Sequence, residues 1–370
     1  MEVTGRGEAI VCPAALTSAA DGALAALRAI APSSALPTCG VGLLGERARL
    51  LGLSRQGEIS ANGSCRLLRA GDGYVALNLA RVDDWAGLPA LFQEPTSSWE
   101  DVARMATDRS VAELVERGIV LGMAIAASGE GDVPALPFTI ERHSPPHRPS
   151  GAMPLVVDFS SLWAGPLAGS LLAKAGARVI KVESKSRPDG ARYGHTGFFS
   201  LLHAGKEEMA FDFGDARDLT RLRDLVASAD MVIEASRPRA LAQLGLSAAE
   251  LAARGGVWLS ITAHGRWGDA GERIGFGDDA AVAGGLAEAM TQAWGEPLFA
   301  GDAIADPLTG LTAAFVGLAA WQAGGGCIAA LAMRDVVAHA RSLYTAGAEE
   351  CWHWQQLAMA DKAPLYPLRR

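Results

Sequence analysis

No two of the five cysteines form a Cys-x-x-Cys pair; they stand at positions 12, 39, 65, 327 and 351, scattered and odd in number. Such a set argues against a disulfide framework or a zinc site and describes reduced, mostly buried thiols, so no metal is expected. Basic residues are in short supply as well. Lys and Arg number 33 against 41 Asp and Glu, a formal charge of −8 with no basic stripe to offset it, which argues against a nucleic-acid partner. Long hydrophobic runs are also missing. Gly, Pro or a charge interrupts each one before it reaches spanning length, so no membrane helix is expected. Residues Met1 to Gly5 lack the basic region and apolar core of a signal peptide, and the expected compartment is the cytoplasm.

What is present is a chain of 370 residues, 49% apolar and 20% charged, long enough for two domains with a large core. Residues 131–154 hold six prolines and two histidines without apolar periodicity. They read as an extended linker in which His143 and His147 are solvated. Downstream, over 155–345, strands and helices alternate. Leu155–Asp158, Arg178–Glu183, Met231–Glu234 and Val257–Thr262 are the predicted strands, and 164–175, 216–228 and 248–254 the predicted helices. The fold class is therefore α/β, an open, doubly wound parallel sheet of Rossmann type, in which ligands bind beyond the carboxyl ends of the strands. Gly324–Gly326 precedes a further strand from Ile328 and reads as a hairpin turn.

Upstream, residues 61–130 form a small α+β domain. A hairpin turning at Asp72-Gly73 is followed by helices near 84–92 and 111–118 and a strand over 123–126. Residues 1–60 carry an internal repeat: GEAIVCP at 7–13 matches GDAIADP at 301–307, and the match runs on without gaps into an Ala-rich helix. This segment reads as a degraded copy of the later region, packing on the large domain. Cys12 replaces the aspartate there, and nothing nearby would lower its pKa. Residues 346–370 form a C-terminal tail.

The stretch GDAIADPLTG at 301–310 is the most informative. It leads into a predicted helix over 311–323, with Asp306 at the N-cap and Pro307 at the first helical position. A carboxylate there faces the positive end of the helix dipole, which favours its ionised form and suits a nucleophile. In the turn after the first large-domain strand, SLWAGPLAG at 161–169 is not G-x-G-x-x-G, so Glu183, at ribose-contact spacing, carries little weight. Gly165 and Gly169 allow close backbone approach by a ligand. Trp163 offers either a flat face to that ligand or ordinary helix–sheet packing. His264 reads as a turn residue at a strand end, and Asp278-Asp279 as a solvated turn rather than a coupled carboxylate pair.

Several strings taken in order, VDFSSLWAGP at 157–166, AGARVIKVE at 175–183, ADMVIEASRP at 229–238, Leu244-Gly245 and LSITAHG at 259–265, resemble the family III CoA-transferases, the group of formyl-CoA and carnitine CoA-transferases. The resemblance covers roughly residues 155–340, and the 71–80 hairpin and 111–126 segment resemble that family's small domain. It implies that Asp306 is the catalytic aspartate of an acyl-CoA:carboxylate CoA-transferase. Asp306 would attack the thioester to give an aspartyl anhydride, and CoA thiolate would convert this to an aspartyl-CoA thioester for the incoming acid. It further implies CoA contacts at Leu162, Trp163 and Ala164, and at Arg237, which matches a CoA-binding lysine, with Arg239 close by. Gln243 and Leu244 stand where the family often has arginine. Lys206 falls in a turn that carries Lys-Arg in relatives, where it is either a phosphate contact or a solvated lysine; Glu207 replaces the second base.

No tightly bound cofactor is implied, coenzyme A being substrate, and the family's interlocked dimers imply a homodimer. Related α-methylacyl-CoA racemases use His and Asp, but their histidine falls on Phe276 or Gly277, so an isomerase or lyase is the first rival. A non-catalytic CoA-binding protein is the second. The family's domain order is large, then small; here the small domain comes first, so the order looks permuted. The family's glycine-rich closing loop has no counterpart.

Overall fold

Four runs, LVVD, MVIE, VWLSIT and CIAALA, are apolar at nearly every position, as strands buried on both faces must be. A computed structural model of the chain describes residues 2–3, 10–33, 35–147 and 153–360. Residues 7–9 of the N-terminal repeat and 361–370 of the tail lie outside the described residues.

A two-residue ladder joins β1 (Glu2–Val3) to β2 (Ile10–Val11). Strands β3 (Cys65–Ala70), β4 (Gly73–Asn78) and β5 (Ala124–Ala127) make an antiparallel sheet. Seven more make the main sheet: β6 (Thr139–Arg142), β7 (Leu155–Asp158), β8 (Arg178–Ser184), β9 (Glu207–Phe211), β10 (Met231–Glu234), β11 (Val257–Thr262) and β12 (Cys327–Ala332). Their order is β6-β12-β11-β10-β7-β8-β9, and every pair is parallel except β12 with β6. The chain builds outward from β7 to β9, then returns to lay β10 on the other side of β7. That reversal is the topological switch point of a doubly wound sheet.

Alternate strand residues feed two cores, as the two-residue period of a strand requires. Val156, Met231, Ile233 and Leu259 point to one side with Leu167, Leu171 and Leu311, whereas Val157, Val232 and Trp258 point to the other with Leu222 and Leu251. The 305–322 helix is apolar all round because it is buried all round. It lies between the sheet, the 164–175 helix and an outer helix, Leu16–Ile30, whose Leu16, Ala20, Leu24 and Leu27 enter the same core. Gly310 makes this possible: a Cβ there would stand 2.6 Å from the Ala164 carbonyl oxygen.

Three sequence expectations change. Thr139–Arg142, inside the Pro-rich stretch, is an exposed edge strand. Gly324–Gly326 joins a helix to a strand parallel to β11, so it is not a hairpin turn. The active-region helix begins at Ala305, with Ile304 as N-cap, which puts Asp306 and Pro307 at its second and third residues. The reason is a tight turn over 301–304, after which the Asp306 N–H donates to Ala303 O at 2.9 Å. Pro307 still costs no hydrogen bond, since N–H groups of the first turn have no partner within the helix.

Candidate active site

The loops that follow β7, β10 and β11 converge at the switch point, and together with Met333 after β12 they enclose a cleft of about 230 Å³. Ser161, Leu162 and Ala164 form one wall, Ala235 to Arg237 another, and Gly271 with Arg273 to Phe276 a third; Asp306 lines the same cleft. This is where a doubly wound sheet binds its ligand.

The loop after β7 is held from beneath. The Lys181 ammonium is buried and donates to Ser160 O and, at 3.0 Å, to Asp189 Oδ2. The other Asp189 oxygen accepts from the Leu162 N–H at 3.0 Å. Leu162 has φ 70°, a left-handed backbone that costs a branched residue about 1–2 kcal/mol. Asp189 offsets that strain, and Leu162 stands half-exposed at the cleft mouth.

Asp306 is part-buried at the cleft floor. Burial pushes its pKa up to about 6, against the opposing pull of Arg47 and of hydrogen bonds from the Ala164 and Gly277 backbone. The helix terminus favours the ionised form, as the sequence suggests, but desolvation acts the other way and is the larger effect. Gly277 touches it directly, since a Cβ there would lie 2.3 Å from Asp306 Oδ2.

Three more carboxylates surround it. Asp278 and Asp279, expected as a solvated turn, are buried in the first turn of the 277–283 helix, and burial raises both pKa values to about 7. Asp278 accepts from the Ala303 N–H at 2.9 Å, and Asp279 accepts from Asn78 Nδ2 at 3.0 Å. Asn78 ends β4, so the small antiparallel sheet reaches the site. Asp302 is gripped by both arms of Arg47, at 2.7 and 2.5 Å. Arg47 went unnoticed in the sequence because its partners lie some 255 residues away and no local spacing signals them.

The remaining expected residues fall out as follows. Ala164 lines the cleft, as does Arg237, for which no ion pair occurs among the described residues. Arg239 faces outward and pairs with Glu272 at 3.0 Å. Trp163 is 2% exposed and packs edge-on against Phe198, so its ring serves the core, and the flat-face reading is withdrawn. Lys206 is corrected too: its ammonium is buried on Asp158 at 2.8 Å and Pro166 O at 2.9 Å, with no charge to spare for a phosphate. His264 is buried against Glu130 at 3.1 Å, and Glu130 also takes Arg273 at 2.7 Å. Cys12 is buried, with its thiol raised to about 11, which leaves it inert as a nucleophile. Among the described residues no cluster of metal ligands occurs, and no helix is long and apolar enough to cross a membrane.

Comparison with known proteins adds the following. The chain is 32% identical over 157 residues to a probable fatty acyl-CoA transferase of Mycobacterium tuberculosis, covering 38% of this chain and 39% of that one. It is 29% identical over 167 residues to the mouse succinyl-CoA:glutarate CoA-transferase, covering 43% of this chain and 38% of the other. The chain thus spans about two fifths of the length of these relatives. A crystal structure of a hypothetical protein from Mycobacterium tuberculosis is 30% identical, with a TM-score of 0.47 over 58% of this chain and 60% of that one. The family described as CoA-transferase family III matches residues 154–359, more than half of the sequence. The chain belongs to the family III CoA-transferases.

Proposed function

We propose that the protein is an acyl-CoA:carboxylate CoA-transferase in which Asp306 is the nucleophile. The observation that supports this is a part-buried carboxylate opening onto a cleft at the sheet's switch point, with Arg237, which has no ion pair among the described residues, lining the same cleft. An Asp306 oxygen attacks the thioester carbonyl, the C–S bond breaks, and CoA thiolate leaves behind an acyl-aspartyl anhydride. The thiolate then attacks the aspartyl carbonyl and expels the first carboxylic acid as its anion, giving aspartyl-CoA thioester. An incoming carboxylate repeats the two steps in reverse and departs as the new thioester. Splitting the transfer this way lets one carboxylate act alternately as nucleophile and leaving group.

Burial suits both tasks. A desolvated carboxylate is a better nucleophile than a hydrated one, and the Ala164 and Gly277 N–H groups support negative charge each time Asp306 is released. Pro307 cannot donate, so it is fitting that donors come from two other loops. Leu162, Ala164 and Arg237 would hold CoA, with Arg237 as the phosphate contact. In the same reading the small module precedes the large one by permutation, and the chain works as a homodimer in the cytoplasm.

Hydroxylamine trapping during turnover tests the proposal. A hydroxamate on Asp306 is the expected product. Exchange of the α-proton without trapping would instead indicate an isomerase, and CoA binding with neither signal a non-catalytic binder. Asp306→Ala is expected to abolish transfer while keeping CoA affinity within about tenfold, or 1.4 kcal/mol. Unimpaired turnover in that variant overturns the assignment.

A further inference from the structure

Arg47 lies on a short helix, Glu46–Leu51, in the N-terminal segment that sequence reading treats as a degraded repeat. Its guanidinium does three things at once. It forks onto both oxygens of Asp302, at 2.7 and 2.5 Å, and Asp302 is 1% exposed. It lies 4.9 Å over the ring of Trp163, the residue just before Ala164, whose backbone bonds to Asp306. It also faces Asp306 and Asp278 closely enough for their charges to act on it.

The turn it grips is strained. Ala303 follows Asp302 with φ 41°, a left-handed backbone that an alanine adopts only under constraint. That constraint has two ends: Arg47 holds Asp302 on one side, and Asp278 accepts the Ala303 N–H on the other. Asp306 begins three residues later and closes back onto Ala303 O. Orientation of the nucleophile is thus fixed by a residue from a distant part of the chain.

We propose that Arg47 is a positioning residue of the active site, holding the Gly301–Ala303 turn through Asp302 and lending its charge to keep Asp306 an anion ready to attack. The proposal rests on the reading of Asp306 as nucleophile. The charges facing Asp306 are Asp302, Asp278 and Asp279 on the acidic side and Arg47 on the basic side, with Arg237 and Arg273 lining the same cleft. Burial and Asp302 push Asp306 up and Arg47 pulls it down, so the two partners of one ion pair act in opposite senses.

The test is the pH dependence of the first half-reaction, read as the Asp306 adduct formed from acyl-CoA, trapped by acid quench and measured by mass spectrometry, in wild type, Arg47→Met, Arg47→Lys and Asp302→Asn. Wild-type trapping should rise through a limb near pH 6. In Arg47→Met the limb moves up by about one unit or more, kcat falls at least about tenfold, and the KM for acyl-CoA changes less than about threefold. Arg47→Lys recovers part of the shift, because it restores charge without the fork. Asp302→Asn moves the limb the other way, downward. A merely structural role would lower the yield of all three variants without displacing the limb in opposite directions. A limb unmoved in Arg47→Met, or displaced upward in Asp302→Asn, overturns the proposal. Should Arg47→Met not fold, the Arg47→Lys and Asp302→Asn pair decides it alone by the same criterion. No Asp306 adduct in wild type would instead defeat the nucleophile reading itself, a separate result.

Discussion

At the scale of single residues, the site is governed by the cost of burying charge. Asp278, Asp279 and Asp306 all have folded pKa values raised from an ordinary 3.8, to about 7, 7 and 6, with burial the main cause. The stability they contribute is fully present below pH 3.8 and is lost as pH rises through 6 to 7. Glu130 works in reverse. Burial favours its acid form, but hydrogen bonds from His264 and Arg273 hold it down to about 2, so its contribution is present above its ordinary 4.5 and lost as pH falls toward 2. His203 and His264 act the other way, since burial lowers both pKa values, that of His203 to about 4, and so favours the higher pH. Asp278→Asn should therefore raise the melting temperature at pH 7.5 relative to that at pH 5. Thermal scans across that range check this. Lys206 makes the contrast between a site residue and a structural one. Lys206→Met strands the buried Asp158 charge and should cost about 3–5 kcal/mol in urea unfolding. Its KM for acyl-CoA should stay at the wild-type value; a large rise would return Lys206 to the binding site.

Among elements, the decisive contact is between the 164–175 and 305–322 helices, the pair that delivers the Ala164 N–H and the Asp306 carboxylate to one point. Ala, Gly and Leu dominate both, and Gly310 lets their backbones meet: its missing Cβ would lie 2.6 Å from Ala164 O and 3.0 Å from Leu167 Cβ. Gly310→Ala should force the helices apart, destabilise the fold by about 1–3 kcal/mol and lower kcat through Ala164. Denaturant unfolding and steady-state kinetics on the same preparation measure both effects. The turn over 301–304 is the other decisive element, since it sets the helix start at Ala305 rather than Pro307.

On the scale of the whole molecule, three parts of the chain meet at one cluster of carboxylates, Asp279, Asp302 and Asp306. The α/β sheet supplies the cleft, the small antiparallel sheet supplies Asn78, and the N-terminal helices supply Arg47. The small sheet docks through Cys65, Leu67 and Ala76 against Val282, Ala287 and Phe299, a shared apolar patch next to the 277–283 helix. Leu67→Ala should cost about 2–5 kcal/mol by opening a cavity in that patch, measured by urea unfolding. Because Leu67 pairs with Ala76 of β4, which ends at Asn78, the same change should also loosen the hydrogen bond of Asn78 to Asp279.

The sequence by itself determined what is local. Apolar runs announced β7, β10 and β11, because a strand covered on both faces has few polar positions to spare. The Asp-Pro pair in an Ala-rich segment singled out Asp306, and the motif order brought family III into view. The polar, exposed β9 left no such trace, since its residues are mixed in character. Charge environment was decided by tertiary structure alone. Whether Lys206 meets solvent or Asp158, whether Asp278-Asp279 is a surface turn or a buried pair, and whether Arg47 matters at all depend on which segments fold over them. Desolvation is a property of the assembled surroundings, and those surroundings come from residues far apart in the chain.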